Sequence, residues 1–245
     1  MSRAENYKES IIMGEWSVDR INAVLRESRK IKYPHERIKM LSNLFFNTPY
    51  KEHTLTGSVD TPEVFTINLE AVDCFTFLDY IEAMRLSDDF KGFKDNLKKV
   101  RYCSGFIDYT HRNHFLTDWI ENNSFFVKDV TVDVGGLSLI SVIKRINLKE
   151  DGSLWLAGIP VSERIVKYIP PENIDDGIIN RLQTGDYIGI YSNKPGLDVS
   201  HVGILIKDGD CIFLRHASSK KGRVFDEDFV GYIDGKHGIV VLRPF

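Results

Sequence analysis

The order of the predicted elements constrains the fold of this chain more than any other feature of its sequence. Apolar residues recur at helical spacing through positions 6–47, 68–84 and 87–101. The last third is instead a series of β-rich runs separated by turn residues, at positions 187–191, 199–206, 211–216 and 238–242. Helices followed by strands are typical of an α+β domain, whereas alternating β-α-β units indicate a parallel sheet. We therefore expect an α+β fold.

The remaining segments have weaker patterns. Tyr33-Pro34 should divide the first helical region in two, because proline interrupts a helix. Residues 109–122 carry an apolar face at helical spacing. Residues 125–146 alternate weakly around Gly135-Gly136, which predicts strands on either side of a turn. Residues 150–185 contain several prolines and are expected to be mostly irregular.

Composition is that of an ordinary globular protein and excludes several classes of function. The chain has 245 residues and a formal net charge of −3, so nothing attracts it generally to nucleic acid or to an anionic membrane surface. No apolar run is long enough to span a bilayer, and an integral membrane segment is not expected. The lysine-rich stretch at 91–101 is interleaved with apolar residues, so we interpret it as a solvated helix face rather than an anion-binding patch.

The cysteines and histidines do not form a metal-binding pattern. Cys74, Cys103 and Cys211 have no C-x-x-C spacing, so neither a disulfide scaffold nor a zinc site is predicted. His111 and His114 have no third ligand at suitable spacing nearby. We expect no metal and no organic cofactor.

Cys74 stands where a helix should begin. Asp73 before it is well suited to capping a helix N-terminus, and the unpaired amide N–H groups there would lie close to the sulfur. That setting lowers a thiol pKa and favours the nucleophilic thiolate. The alternative is that Cys74 is a small buried apolar residue, since free cysteine is often buried.

A predicted hairpin supplies a base for this cysteine. Asp208-Gly209 lies between two β-rich runs, which is a strong signal for a two-residue turn. Counting outward from that turn brings His201 opposite His216, on one face of the sheet. A thiol, a histidine base and a third group that orients the base make up a nucleophilic triad. The alternative is a pair of cross-strand histidines on an exposed sheet face.

Several motifs together resemble a known superfamily. D-C at a helix start, L-Q-T-G-D-Y-I before a strand, H-V-G-I and H-A-S-S are similar to motifs of the NlpC/P60 superfamily of papain-like cysteine peptidases and amidases. N-T-P-Y resembles the T-P-Y that precedes the catalytic cysteine. More narrowly, N-L-E-A-V-D-C-F-T-F-L and R-N-H-F-L-T-D-W-I resemble the DUF1460 group, described as N-acetylmuramoyl-L-alanine amidase-like. The matches run from Thr48 to Ser219.

The resemblance implies a role for each matching residue. Cys74 matches the nucleophile, His201 the general base, and His216 the polar residue that orients the base. Tyr50 matches a tyrosine whose hydroxyl lies at the active site and helps to hold the oxyanion. Asp73 matches an acid that contacts the free amine of a stem peptide in the relatives that cleave peptides.

Two departures from the family pattern concern substrate binding. Phe75 replaces the serine of the usual D-C-S and removes a polar group from the site. Tyr50 lies further upstream of the cysteine than in compact relatives, so an insertion should reshape the cleft. Asp118 and Trp119 are candidates for a second cleft wall, or else belong to a packed helix with one exposed acid.

The resemblance also implies a fold, a substrate and a location. We expect a papain-like NlpC/P60 fold, with the catalytic helix on a mainly antiparallel sheet. Residues 1–47 should form an added helical lobe and residues 48–245 the hydrolase domain, with insertions between 87 and 183. The implied function is an exported, periplasmic or cell-envelope hydrolase of peptidoglycan or muropeptides that cuts the N-acetylmuramoyl–L-alanine bond, its export signal absent from this sequence. An endopeptidase, an acyl transferase and a silent wall-binding module are the alternatives.

Overall fold

The computed structural model describes residues 7–245, in which strands and helices alternate irregularly. The helices are α1 Val18–Arg29, α2 Pro34–Asn43, α3 Cys74–Arg85, α4 Phe90–Arg101, α5 Leu116–Asn122, α6 Thr131–Gly135, α7 Asp176–Arg181 and α8 Phe229–Ile233. The strands are β1 Lys8–Ile12, β2 Thr56–Ser58, β3 Thr61–Asn68, β4 Val127–Asp129, β5 Ile140–Ile146, β6 Ser162–Tyr168, β7 Tyr187–Tyr191, β8 Val199–Asp208, β9 Cys211–Ser218, β10 Arg223–Asp228 and β11 Ile239–Pro244. The predicted α+β class is confirmed.

The main sheet is antiparallel and carries helix α3 on one face. Its six strands lie in the order β10-β9-β8-β7-β11-β4. Helix α3 packs against β8 and β9, and its apolar side chains Phe77, Leu78 and Ile81 are fully buried. Burial of these side chains fixes the position of the helix over the sheet, because each contributes roughly 1.5–3 kcal/mol. No helix in residues 7–245 is long and apolar enough to cross a membrane.

The N-terminal region is only partly helical, which corrects the prediction for residues 6–47. Residues 8–12 form strand β1, paired in parallel with β3, and Ile11 stands beside Ile67 in that pair. Helices α1 and α2 follow, and Pro34 is the first residue of α2, so the predicted break is confirmed. Asn6, where the helical region was predicted to begin, lies outside the described residues. The predicted division between residues 47 and 48 stays a prediction.

The middle of the chain contains strands and helices that the sequence patterns did not separate. Gly135-Gly136 ends helix α6 instead of joining two strands. Strand β6 lies within the segment predicted to be irregular, and it pairs along its whole length with β5. Strand β10 was not predicted at all, although it covers the far edge of β9.

The turn of the β8–β9 hairpin lies one residue later than predicted. Asp208 pairs with Cys211, so the two turn residues are Gly209 and Asp210. Gly209 has a φ of +58°, a conformation that glycine adopts without strain. The register therefore differs by two residues from the predicted one, and His201 lies diagonally rather than directly opposite His216. Side chains two residues apart share a face, so the two histidines still point to the same side.

Candidate active site

Helix α3 begins at Cys74 with a reciprocal capping interaction. The backbone N–H of Thr76 donates to Asp73 Oδ1 at 2.7 Å, and the backbone N–H of Asp73 donates to Thr76 Oγ1 at 3.0 Å. This capping box satisfies two amide donors at the start of the helix and fixes where it begins. The predicted N-cap is therefore confirmed, and its carboxylate is engaged by Thr76.

The Cys74 thiol is partly buried, and its electrostatic setting differs from the prediction. The neighbouring backbone N–H groups of Val202, Cys74 and Phe75 act to lower the pKa of the thiol. Burial and the neighbouring Asp73 carboxylate act in the opposite direction and raise the pKa of the thiol to about 12. The predicted lowering of the pKa is therefore wrong, because desolvation outweighs the helix start. Cys74 rests as a neutral thiol.

The two histidines of the hairpin are in direct contact. His201 Nε2 and His216 Nδ1 are 2.7 Å apart, within hydrogen-bond distance. The rings are close to perpendicular, at 87°, with their centroids 4.9 Å apart. A bulge in β8 at Ser200, where the pairing with β7 shifts, lies directly beside His201. Bulges re-aim side chains at the edges of sheets and near functional sites.

A carboxylate stands behind the second histidine. His216 Nε2 lies 3.1 Å from Glu227 Oε2. Glu227 lies on β10, in register with Leu214 of the neighbouring strand β9. Sequence reasoning missed this residue because it missed β10. The V-F-D-E-D run that follows the turn at Gly222 was the signal that could have found it.

Both histidines are neutral in the folded protein. Burial, and then the charges of His216 and Lys236, lower the pKa of His201 to about 3. Burial also lowers the pKa of His216, although Glu227 opposes it. At neutral pH each ring therefore carries one proton, and each has one donor and one acceptor nitrogen.

Cys74 and His201 line one cavity of about 280 Å³. Its walls are largely apolar and come from α3, the start of α5, the 148–160 loop and β8; they include Phe75, His114, Phe115, Leu116, Trp155, Leu156, Leu197 and Asp198. Trp155 is 39% exposed, and its indole N–H donates to the carbonyl oxygen of Pro195 at 2.9 Å. This tryptophan was missed because it lies in a segment predicted to be irregular.

Asp118 and Trp119 do not form the predicted wall of this cavity. Trp119 is fully buried, and its indole N–H donates to Asp79 Oδ1 at 3.0 Å in the core. Asp118 accepts from Arg164 at 3.1 Å, and neither residue lines the Cys74 cavity. The apolar face of α5 points Trp119 inward, as the packed-helix alternative has it, whereas Asp118 is partly buried and ion-paired instead of exposed.

Tyr50 reaches the neighbourhood of Cys74 despite its distance in sequence. It forms a parallel bridge with Val72, two residues before the cysteine, so the chain between them folds out as the β2–β3 hairpin. Burial, Glu52 and the Cys74 thiol raise the pKa of Tyr50. Its hydroxyl donates to Glu52 Oε1 at 3.3 Å, and Tyr50 does not line the Cys74 cavity.

The described residues hold no cluster of three or more potential metal ligands. His114 Nε2 instead contacts the carbonyl oxygen of Tyr109 at 2.8 Å, which identifies that nitrogen as a donor. Its other ring nitrogen remains as an acceptor at the edge of the Cys74 cavity.

Comparison with known families identifies the group to which this site belongs. Residues 40–239 match the profile of the AmiA-like family, described as N-acetylmuramoyl-L-alanine amidase-like. The match covers most of the chain and includes Cys74, both histidines and Glu227. The chain belongs to the AmiA-like family. The predicted resemblance to the amidase-like group is thereby confirmed.

Solved structures agree with the AmiA-like assignment. An N-acetylmuramoyl-L-alanine amidase from Bacteroides uniformis ATCC 8492 is 29% identical with a TM-score of 0.71, and the match covers 86% of this chain and 99% of that one. A DUF1460 protein from Legionella pneumophila str. Philadelphia 1 is 22% identical with a TM-score of 0.77, covering 93% of this chain and 95% of that one, and it shows the fold alone. A comparison with curated proteins finds no match.

Proposed function

We propose that this chain is a cysteine amidohydrolase of the papain-like NlpC/P60 type that cleaves the amide between muramic acid and L-alanine in peptidoglycan fragments. One observation carries the proposal. The 2.7 Å contact between His201 and His216 continues to Glu227, while His201 shares a cavity with Cys74. That is a nucleophile, a base and a group that orients the base.

The direction of each hydrogen bond follows from the carboxylate. Ionised Glu227 can only accept, so His216 Nε2 must carry the proton in this contact. Neutral His216 then has an unprotonated Nδ1, which accepts from His201 Nε2–H. The lone pair of His201 is left on Nδ1, free to take a proton from the thiol. The chain of contacts thus selects the tautomer in which His201 can act as a base.

The proposed reaction begins from a neutral thiol and a neutral imidazole. The Cys74 sulfur bonds to the amide carbon as its proton passes to His201 Nδ1. The backbone N–H of Cys74 is the proposed donor to the oxyanion, and the hydroxyl of Tyr50 can join it only by giving up its hydrogen bond to Glu52. His201 gives the proton to the leaving nitrogen as the C–N bond breaks and a thioester remains. Water then attacks the thioester, giving its proton to His201, and the acid and the thiol are released.

The surroundings of Cys74 favour the muramoyl–L-alanine bond over a bond within the stem peptide. A peptide with a free amine brings a positive charge, which is costly to bury without polar partners. Asp73 already accepts from Thr76, and Phe75 presents an apolar surface to the cavity. A nitrogen acylated by the lactyl group of muramic acid carries no charge and suits this setting.

Mass spectrometry of defined digests tests the proposal. The wild-type enzyme should release the intact peptide from muramoyl tripeptide and leave sugar-free tripeptide uncut. Cys74→Ser should fold and lose nearly all hydrolysis, whereas Cys103→Ser and Cys211→Ser, neither of which lines the Cys74 cavity, should remain active. A dipeptide product with the lactyl–alanine bond intact would favour the endopeptidase. No product from either substrate would favour a silent wall-binding module.

The proposed substrate also implies where the protein acts. Peptidoglycan lies outside the bacterial cytoplasm, so we infer that the protein acts in the periplasm or cell envelope. Fractionation of the native host, with detection of the protein in the periplasmic and membrane fractions, tests this inference; recovery in the cytosol alone would contradict it.

A further inference from the structure

A second cavity is lined by both histidines of the candidate site. Its volume is about 380 Å³, and its lining is mostly polar, comprising Ser200, His201, His216, Ser218, Ser219, Lys220, Glu227, Gly231, Tyr232, Asp234 and Lys236. Burial, then Glu227 and the Cys74 thiol, raise the pKa of Tyr232, so this cavity lies within electrostatic reach of the nucleophile. Ser200 and His201 line both cavities. The polar cavity has no role in the reaction described above.

Positive charge is found in the polar cavity and not in the apolar one. Lys236 Nζ lies over the ring of Tyr232, 5.0 Å from its centroid, and is not ion-paired with a carboxylate of residues 7–245. Lys220 also lines this cavity. Two carboxylates, Glu227 and Asp234, line it as well, and Glu227 is already engaged by His216. The polar cavity therefore offers a cation to an incoming anion.

The Cys74 cavity is unsuited to binding an anion. No lysine or arginine lines it, and its one carboxylate, Asp198, is buried. The two oxygens of Asp198 accept backbone N–H groups of Thr117 and Val199, each at 2.7 Å. A second negative charge placed beside it would be desolvated and unpaired, which is costly. The apolar cavity suits an uncharged group instead.

The chemistry of amide cleavage places the leaving group at His201. The base must return its proton to the leaving nitrogen, so the leaving peptide starts at this ring. In a stem peptide the second residue is a D-glutamate joined through its γ-carboxyl group, which leaves its α-carboxylate free. That carboxylate lies about one residue, roughly 3.5 Å of extended chain, beyond the L-alanine.

We propose that the polar cavity binds the leaving peptide and that Lys236 pairs with the free α-carboxylate of its second residue, while the apolar cavity holds the muramoyl group. The proposal rests on the proposed function. It makes Lys236 a specificity residue that distinguishes an acidic second residue from its amidated form. The acidic form is favoured because Lys236 forms a charge-assisted hydrogen bond with a carboxylate, which is stronger than its hydrogen bond with a neutral amide.

Two substrates that differ in one group test the role of Lys236. Muramoyl-L-alanyl-D-glutamate carries the α-carboxylate, and muramoyl-L-alanyl-D-isoglutamine carries an amide there. We expect the wild-type enzyme to prefer the acid about ten-fold in kcat/KM, the size of one charge-assisted hydrogen bond. Lys236→Met should abolish the preference and Lys236→Arg should retain most of it. Lys221→Met is the control, because Lys221 lies over Phe225 outside the cavity.

The ratio of kcat/KM for the acid to kcat/KM for the amide shows whether Lys236 recognises the carboxylate or acts indirectly through the histidines. Lys236 also lowers the pKa of His201 and His216, so its loss can change the rate with any substrate. An equal loss on the acid and the amide would mean that Lys236 acts through the histidines alone, and the proposal would be wrong. A preference that survives in Lys236→Met would also contradict it.

Binding to an inactive variant separates this proposal from the proposed function. Titration of Cys74→Ala with L-alanyl-D-glutamate and L-alanyl-D-isoglutamine, followed by NMR, needs no catalysis. We expect the acid to bind more tightly, with shifts at Tyr232 and His216 that Lys236→Met removes. If that result is found while neither muramoyl substrate is hydrolysed, the proposed function fails and the cavity assignment stands. Equal binding of the two dipeptides, or no binding, overturns the assignment.

Discussion

In the proposed mechanism, Glu227 determines which ring nitrogens of His216 and His201 carry a proton. Its carboxylate contacts His216, and through that ring it favours the tautomer of His201 in which Nε2 carries the proton. A side chain that acts through two others is a positioning residue. Its effect should therefore follow its capacity to accept a hydrogen bond more closely than its charge.

The first prediction concerns Glu227. Glu227→Leu removes the acceptor and should lower kcat about 100-fold with little change in KM, because the His201 tautomer is no longer selected. Glu227→Gln keeps an amide oxygen that accepts from His216 and should lose much less. The exposed Glu172→Gln is the control. Steady-state kinetics on a muramoyl tripeptide measures kcat and KM of each variant. Equal losses of kcat in Glu227→Gln and Glu227→Leu would contradict the tautomer argument.

The second prediction concerns the protonation of Cys74. Its thiol pKa of about 12 means that the thiolate fraction keeps rising far above neutral pH. The rate of iodoacetamide alkylation at Cys74 should therefore increase through pH 8.5, where free cysteine levels off at about its own pKa. N-acetylcysteine in the same buffers is the reference, with Cys74 modification followed by peptide mapping. A plateau below pH 8 would instead indicate a preformed thiolate–imidazolium pair.

At the level of elements, sequence patterns predicted which face of the sheet carries both histidines, but not the register of the two strands. The β8–β9 turn lies one residue from its predicted position, which shifts the register by two residues. Because the side-chain period of a strand is two, both histidines stayed on one face, whereas a shift by one would have separated them. The cleft wall was predicted less well, since Trp119 and Trp155 look equally suitable in sequence. Only tertiary packing buries Trp119 and leaves Trp155 exposed.

One strand positions a wall of the cleft through a single lysine. Lys144 on β5 directs its ammonium group at the carbonyl oxygen of Lys194, at 2.9 Å, and also at those of Ser192 and Leu197. These carbonyls belong to the 192–198 loop, which brings Leu197 and Asp198 to the Cys74 cavity. Lys144 thus ties the β5–β6 hairpin to the loop that lines the Cys74 cavity.

The third prediction concerns this lysine. Lys144→Met should lower the free energy of unfolding by roughly 1–3 kcal/mol, because carbonyl groups lose a charged donor. It should raise KM more than it lowers kcat, since the loop lines the cavity in which we propose that the substrate binds. Exposed Lys167→Met on the paired strand is the control. Urea titration, kinetics and hydrogen exchange of residues 192–198 provide the measurements; unchanged exchange in this loop would contradict the role.

At the level of the whole molecule, long-range pairing was the part that sequence patterns could not supply. Strand β1 lies parallel to β3, more than 50 residues away, and its short apolar run is compatible with a helix as well. Strand β10 is short and acidic, so its pairing depends on β9 being in place. Local signals such as the Asp73 cap and the proline at position 34 were predicted correctly, because neighbouring residues alone determine them.

Two buried neutral histidines make the stability of the fold depend on pH. Burial, and then the charge of Arg112, lower the pKa of His114 from 6.5 to about 4. Below pH 6.5 the unfolded chain binds a proton at this position that the folded protein does not bind. Stability is therefore complete above pH 6.5 and falls as the pH decreases toward 4. His201, whose pKa is lowered to about 3, acts in the same direction.

The fourth prediction assigns part of this acid sensitivity to His114. At pH 5 the fold keeps His114 neutral, which lowers the free energy of unfolding by roughly 2 kcal/mol. The figure follows from about 1.36 kcal/mol for each pH unit below the ordinary histidine pKa. His114→Gln keeps an N–H donor for the carbonyl oxygen of Tyr109 and does not titrate. The loss of unfolding free energy between pH 7.5 and pH 5, from urea titrations, should shrink by about that amount in the variant. Exposed His237→Gln should keep the wild-type difference. An undiminished difference in His114→Gln would mean that His114 is protonated in the fold at pH 5, and that its environment accommodates the charge.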